Sequence, residues 1–357
     1  MKLGVFTVGS DVPGLNAVIR AVVRTATLRY QADVFGIANG FHGLLDPPAY
    51  WPLSPADVVG LSRRGGTILG CNRDNPFDEG GEDRSAEIMD TVRWLGLDGL
   101  ICIGGEGSLV ISERLHRMGL PLVAIPKSVE NDTPQTSQTF GSSTAVDHTV
   151  SAIDMLQTTS ETTYRVMYLE VTGAQAGWIA LRAALGGGAD VVLVPEVPFS
   201  LEHVEAAIVG RREAGKRSTI VVVAEGARPT AGQELPPGNG DSPSSVTHRV
   251  ARALGKRTGD DYRVTVLGHL LKGGDPNVHD RVLATRFGAA AVRAVAEGQF
   301  GTMVAIRGGV PTLVPLADVI GKHRVVSVDD ELVWTARSLG IDLGDGVSLR
   351  SPEAALS

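Results

Sequence analysis

Short runs of Val, Ile and Leu recur along this chain, each followed after a turn by a longer stretch whose apolar residues fall three to four apart. "KLGVFTV" leads into "GLNAVIRAVVRTATLRY" and then "ADVFGIANG"; "DGLICIGG" leads into "SLVISERLHRM" and then "LPLVAIPKS". In the second half "YRVMYLEV", "DVVLVPEV", "STIVVVAEG", "YRVTVLGH" and "TMVAIRGG" carry the strand pattern. Between them "SLEHVEAAIVGRREAG", "SSVTHRVARALGKRT" and "DRVLATRFGAAAVRAVAEG" carry the helical one. Strands apolar throughout, rather than alternating, are buried on both faces, with helices as their cover. The pattern therefore predicts an α/β protein of βαβ units with mostly parallel sheets. Such sheets bind ligands beyond the carboxyl ends of their strands, and there the polar motifs of this chain lie.

A length of 357 residues favours two domains. The expected division is one lobe over 1–140, a second over 141–300, and a final segment, 301–357, packing across lobes. The stretch from about Arg228 to Ser245, "RPTAGQELPPGNGDSPSS", is rich in turn formers and is expected to be a surface loop.

Charge and composition remove several classes of function. The net charge of −7, with Lys and Arg dispersed, argues against nucleic acid as a partner. No run approaches the roughly 18 to 20 apolar residues of a membrane span. "MKLGVFTVGS" lacks the long apolar region of a secretory signal and fits a first core strand. Cys71 and Cys102 are the only cysteines, which argues against a disulfide scaffold or a zinc site and makes the cytosol the expected compartment.

Three motifs carry candidate chemistry. "TVGSDVPGLNAVIR", Thr7 to Arg20, joins a strand to a helix with a proline in its expected first turn; converging amides there can hold an anion. It equally fits a plain connection with Ser10 or Asp11 as N-cap. In "CIGGEGSLV", Gly104, Gly105 and Gly107 allow phosphates close to the backbone, and Glu106 can hold Mg²⁺. In "PKSVEND", Lys127 can neutralise a phosphate and Ser128 can bond a substrate. Glu130 and Asp132 point to one side if the segment is extended. One carboxylate can then take a hydroxyl proton, although Asn131 and Asp132 are also ordinary turn formers. Farther on, Arg165 and Gly173 lie in "TYRVMYLEVTGAQAGW", and Arg263, His269, Lys272 and Arg281 in "DDYRVTVLGHLLKGGDPNVHDRVLATRFG", residue types suited to a sugar phosphate.

Taken together and in order, these stretches resemble the phosphofructokinase family, with "RRGGTILGCNR", "PEVPFS" and "VVVAEG" also in register. The resemblance implies two Rossmann-like lobes with the active site between them. It further implies a cytoplasmic glycolytic kinase that transfers phosphate from ATP, with Mg²⁺, to fructose 6-phosphate, and a homotetramer. By position, Gly9, Arg73, Asp74, Gly105, Glu106, Gly107 and Ser108 fall on phosphoryl-donor positions, with Glu106 at the metal position. Glu130 takes the place of the base and Asp132 that of the second aspartate, while Lys127 and Arg73 are candidates to stabilise the transferring phosphoryl group. Ser128, Val129, Glu130, Arg165, Thr172, Gly173, Ala174, Glu225, Arg263, His269 and Lys272 fall on sugar-phosphate positions. Arg165 and Arg263 are implied to come from a neighbouring subunit.

The chain departs from that family's pattern in several places. Ser10 replaces a glycine, Glu106 and Glu130 replace aspartates, Lys272 replaces an arginine, and Thr172-Gly173-Ala174 stands for Met-Gly-Arg. A glutamate's added methylene moves its carboxylate by about 1 Å, and misplacement of that size can cost roughly 10²-fold. Losing a transition-state cation can cost roughly 10³-fold. Both acidic exchanges keep charge and basicity. Gly107 leaves room for adenosine and favours ATP, whereas lysine at 127 is typical of pyrophosphate users and occurs also in ATP users that keep the glycine. Alternatives are pyrophosphate as donor, another sugar or cyclitol phosphate as acceptor, or a catalytically weak regulatory paralogue that binds both ligands.

Overall fold

The computed structural model describes residues 1–77, 83–237 and 245–347. The elements begin β1 (Lys2–Thr7), α1 (Leu15–Tyr30), β2 (Asp33–Ile37), β3 (Tyr50–Leu53), α2 (Ser85–Leu95), β4 (Gly99–Gly104), α3 (Glu106–Arg117), β5 (Leu122–Ser128) and β6 (Phe140–Gly141). They continue α4 (Ser142–Thr163), β7 (Val166–Val171), α5 (Trp178–Gly187), β8 (Val191–Leu193), α6 (Leu201–Glu213), β9 (Thr219–Ala224), α7 (Val246–Thr258) and β10 (Tyr262–Val266). The described chain closes with α8 (Val278–Ala296), β11 (Thr302–Arg307), β12 (Val310–Pro315) and α9 (Glu331–Ser338). By internal contacts it forms two compact units, Met1–Thr144 with Lys272–Arg324, and Ala145–Leu271 with Val325–Ser357.

The first unit is built on one sheet of order β12-β11-β5-β4-β1-β2-β3, with β6 paired to β5. Its interior strands run parallel, as their continuous apolar character predicts, and only β3 and β12, at the two edges, pair antiparallel. Helices α1 and α8 pack closely on this unit: a Cβ on Gly288 would stand 2.7 Å from the Val18 carbonyl and from Ala21 Cβ. Register sets where the chain turns. Thr7 lies beside Ile103, and Gly104 beside Pro126, so β1, β4 and β5 end together and release Gly9, Gly105 and Ser128 at one edge.

The start of α1 differs from expectation. Neither Ser10 nor Asp11 caps it; the N-cap is Gly14, at φ 113°, and Pro13 lies before the helix rather than in its first turn. Glycine meets the geometric need, since the left-handed region is costly for other residues and a Cβ there would stand 2.9 Å from the Phe140 ring.

The second unit holds a wholly parallel sheet of order β10-β7-β9-β8 around a core that includes Tyr168, Phe199, Val221 and Leu254. β8 is shorter than "DVVLVPEV" predicts, ending at Leu193 before a turn in which Glu196 accepts the Gly177 amide at 3.0 Å. Strand β10, at the sheet edge, is only half-buried. The expected surface loop from Arg228 to Ser245 has its middle, 238–244, outside the described residues, as has 348–357 of the final segment.

Candidate active site

The turns released by β1, β4 and β5 surround a cavity of about 570 Å³ within the first unit. Gly9, Gly105, Glu106, Gly107 and Ser108 line one part of it; Lys127, Ser128, Val129, Glu130 and Asp132 line another. Arg73 and Lys272 also reach it. Twelve residues singled out from the sequence therefore share one space. Not every glycine amide there is available to a ligand, because the Gly9 amide donates to the Asn72 carbonyl at 2.8 Å.

Glu106 opens α3 and Gly105 is its N-cap, so the carboxylate stands at the positive end of the helix dipole. A Cβ on Gly107 would meet nothing within 4 Å, while Val110 and Ile111, one turn on, add an apolar wall to the cavity. The space over Gly107 thus belongs to the cavity and not to the packing of the chain.

Lys127 is the buried cation of the floor, 4% exposed, with its ammonium donating to the Ser10 carbonyl. Burial pushes its pKa down to about 8, and Lys272 pushes in the same direction. The Cys71 thiol is itself pushed up by burial, so near neutral pH the anionic neighbour that opposes this shift is Asp11.

Only Pro126, Lys127 and Ser128 of "PKSVEND" are extended, as the end of β5; from Val129 the chain turns. β5 ends at Ser128, and Asn131 adopts φ 54°, in the left-handed region. Glu130 and Asp132 still line one cavity, but the turn brings them there in place of strand alternation. The Ser128 hydroxyl donates to Asp132 at 2.6 Å and accepts from the Glu130 amide at 3.1 Å, so it orders both acids. Buried Asn131 braces the turn: its Oδ1 accepts from the Thr139 amide at 2.8 Å and its Nδ2 donates to the Ser137 carbonyl at 3.3 Å. The lysine, hydroxyl, acids and amide crowd together because two form the floor, two face the space, and one pins the bend.

Residues absent from the sequence reading complete the surroundings. Arg324 donates its amide to the Asp132 carbonyl at 2.7 Å and a guanidinium N–H to the Asn131 carbonyl at 3.1 Å. Beside it, His323 Nε2 lies 3.5 Å from Glu106 Oε1. Their signal in the sequence is the basic triplet Lys322-His323-Arg324 after Gly321.

Asp74 does not line the cavity; its carboxylate is engaged by His42 and Asn72. The remaining candidates belong to the second unit and fall at opposite ends of its sheet. Thr172, Gly173 and Ala174 follow β7, and Glu225 follows β9; Glu225 Oε1 accepts from Thr172 Oγ1 at 3.2 Å and from the Gly173 amide at 3.4 Å. His269 follows β10 in a short 3₁₀ turn. Arg165 and Arg263 lie at the amino ends of β7 and β10, where both grip Asp261, each at 2.6 Å.

Among the described residues no cluster of three His, Cys, Asp or Glu could hold a metal on its own. Mg²⁺ in phosphoryl-transfer sites is bound through one or two carboxylates plus the substrate's phosphates. The half-exposed Glu106 carboxylate at the cavity wall fits that mode.

Parallel α/β units, with glycine turns and an acid-lysine turn gathered at one sheet edge, describe a phosphotransferase site, and the chain belongs to the phosphofructokinase family, whose model matches residues 2–295. It is 47% identical over 350 residues to an ATP-dependent 6-phosphofructokinase of Chloroflexus aurantiacus, covering 96% of this chain and 98% of that one. It is 46% identical to a pyrophosphate–fructose 6-phosphate 1-phosphotransferase of Amycolatopsis methanolica, over 91% of this chain and 96% of the relative. The solved phosphofructokinase of Saccharomyces cerevisiae superposes with a TM-score of 0.79 at 29% identity over 89% of this chain, which spans 45% of the yeast chain. A pyrophosphate-dependent phosphofructokinase from Nitrosospira multiformis shares the fold, with a TM-score of 0.80 at 19% identity, over 98% of this chain and 94% of that one.

Proposed function

We propose that the chain is an ATP-dependent 6-phosphofructokinase. Relatives of both donor types are almost equally similar, so identity over the whole chain does not choose between them. The observation that carries the reading is Gly107. Its Cβ direction is open and flanked by Val110 and Ile111, which leaves a nucleoside room against α3.

In this reading the first unit binds the donor. Amides of the Gly105–Ser108 turn, with Arg73 and Lys127, receive its phosphates, and Glu106 holds Mg²⁺, which when bound spreads the phosphates' charge. Glu130 takes the proton from the sugar's 1-hydroxyl as that oxygen attacks the terminal phosphorus. Asp132, fixed by Ser128, keeps the turn and its charge in place. Lys127 supplies the cation that the family's arginine would give at position 174. Thr172, Gly173, Ala174, Glu225, His269 and Lys272 serve the acceptor. Arg165 and Arg263 are lent to a neighbouring subunit of a homotetramer, a role favoured by their position about six residues of strand from Thr172 and Glu225, or roughly 20 Å. Two free cysteines accord with a cytosolic setting.

A coupled assay with ATP or pyrophosphate against a panel of sugar and cyclitol phosphates tests the reading. Turnover with ATP and fructose 6-phosphate is expected. A better acceptor elsewhere in the panel would reassign the substrate, and binding without turnover on any pair would make the chain a regulatory paralogue.

A further inference from the structure

Arg73 reaches the cavity from a loop and, among the described residues, its guanidinium has no ion pair. What fixes that loop lies on either side of it. Asp74 Oδ2 accepts from Asn72 Nδ2 at 2.8 Å, the Asp74 amide donates to Asn72 Oδ1 at 2.9 Å, and Asn72 O accepts from the Gly9 amide at 2.8 Å. Arg73 is thus the apex of a closed Asn72–Asp74 loop sewn to the end of β1. The remaining tie is His42, whose Nδ1 lies 3.1 Å from Asp74 Oδ2. His42 is itself anchored: it sits in the 3₁₀ turn Gly40–Leu44, whose Phe41 is buried edge-on against Phe6 of β1 at 5.1 Å. The loop that presents Arg73 is therefore held at both its strand-side and its outer end, and by side chains that do not line the cavity.

We propose that His42 and Asp74 are positioning residues that hold Arg73 toward the phosphates of the phosphoryl donor. The inference rests on reading this cavity as the donor site. A long, flexible arginine gives up much rotamer freedom when it grips an anion; a loop already closed on Asn72 and His42 lowers what remains to be ordered on binding. Asp74 acts through Arg73, as the partner of His42 and Asn72. Both members of the His42–Asp74 pair are about half exposed, at 55% and 51%. Its coupling is then that of an exposed polar pair, ~1.5- to 5-fold in the equilibrium it biases.

The test is calorimetric titration of ATP, and separately of pyrophosphate and fructose 6-phosphate, into the full chain and its variants. Arg73→Ala should weaken ATP by about tenfold or more, as loss of a charge-assisted contact does. His42→Ala and Asp74→Ala should each weaken it ~1.5- to 5-fold. The double variant should be no worse than Asp74→Ala alone, because the one contact that His42→Ala removes is already lost in Asp74→Ala. His42→Gln, which keeps an N–H donor, should recover most of the loss, and fructose 6-phosphate affinity should not move in any of them. Wild-type ATP affinity in both single variants, additive losses in the double, or an equal loss of fructose 6-phosphate affinity would each overturn the proposal. A silent Arg73→Ala would instead remove Arg73 from the donor site, and the clasp's role with it. Loss through His42 with a silent Arg73 would also overturn it.

Discussion

Replacing Lys127 by methionine takes one charge out of the cavity floor with little change in volume. Lys127 is 4% exposed, and burial holds its ammonium at about 8 against 10.5 for the free side chain. That gap corresponds to on the order of 3 kcal/mol against the buried cation. The bond to the Ser10 carbonyl offsets part of it, at ~1–3 kcal/mol for a charged donor. Because the folded-state value is the lower, the penalty is fully present below about pH 8, shrinks as pH rises toward 10.5 and is gone beyond it. Lys127→Met should therefore be as stable as the wild type at pH 7 or more so, by up to ~2 kcal/mol, with the gain fading at high pH. Activity should move the other way. Removing a cation from the transferring phosphoryl group costs roughly 10³-fold in kcat. In the wild type, kcat/KM for ATP should fall by about tenfold per pH unit above pH 8 or so, as the free enzyme's ammonium loses its proton. Lys127→Arg should carry that fall beyond about pH 10. Initial rates across pH, with urea melts at neutral and high pH, give both quantities. A methionine variant with wild-type kcat, or an alkaline fall near pH 8 that survives in the arginine variant, would show that the Lys127 charge does not act on the phosphoryl group.

Three further outcomes are expected. Gly107→Asp puts a side chain into open space at a helical position, so melting should shift by no more than ~1 kcal/mol. Its ATP kcat/KM should drop by about tenfold or more while pyrophosphate use falls less, and an equal loss with both donors would contradict the role of this glycine. Asn131→Ala leaves a left-handed residue without its buried bonds and should lose ~2–4 kcal/mol in denaturant melts; a loss below 1 kcal/mol would mean that the turn holds itself. If Arg165 is lent across an interface, mixing inactive Arg165→Ala with inactive Glu130→Gln and reassembling should restore turnover in hybrid oligomers, and continued silence would place the arginine elsewhere.

The strands that carry the cavity are legible in the sequence for a physical reason. β4 is buried along its whole length and β5 up to its last residue, Ser128, so both read as apolar runs, Leu100 to Ile103 and Leu122 to Pro126, that end in glycine or in the polar Lys127 and Ser128. The edge strands give no such signal. β12, "VPTLVP", is mostly half-exposed and carries two prolines, and β3, "YWPL", carries Pro52, which the free side of an edge strand tolerates. The start of α1 is misread because Pro13 resembles a first helical residue, whereas backbone conformation at Gly14 makes the boundary. Of the residues that line the cavity, Gly105, Lys127 and Glu130 stand in motifs legible locally, and Gly9 is placed by the resemblance. Arg324 is not legible locally, since it meets Asn131 from 193 residues away in sequence. His42, bound to Asp74, and His323, beside Glu106, escape for the same reason. Asp74, whose place in the chain implies a donor contact, has its carboxylate engaged by Asn72 and His42, pairings that local spacing does not announce.

The proposed mechanism depends above all on Glu130 drawing the proton from a bound sugar hydroxyl opposite the donor's phosphates. Turnover and fructose 6-phosphate binding measured side by side in Glu130→Gln test it most directly. The amide keeps the size of the acid and removes its basicity, so kcat should fall by roughly 10²–10⁴-fold while the sugar phosphate binds nearly as before. Turnover within a few-fold of the wild type would show that another group takes the proton, and the account of this cavity would fall with it.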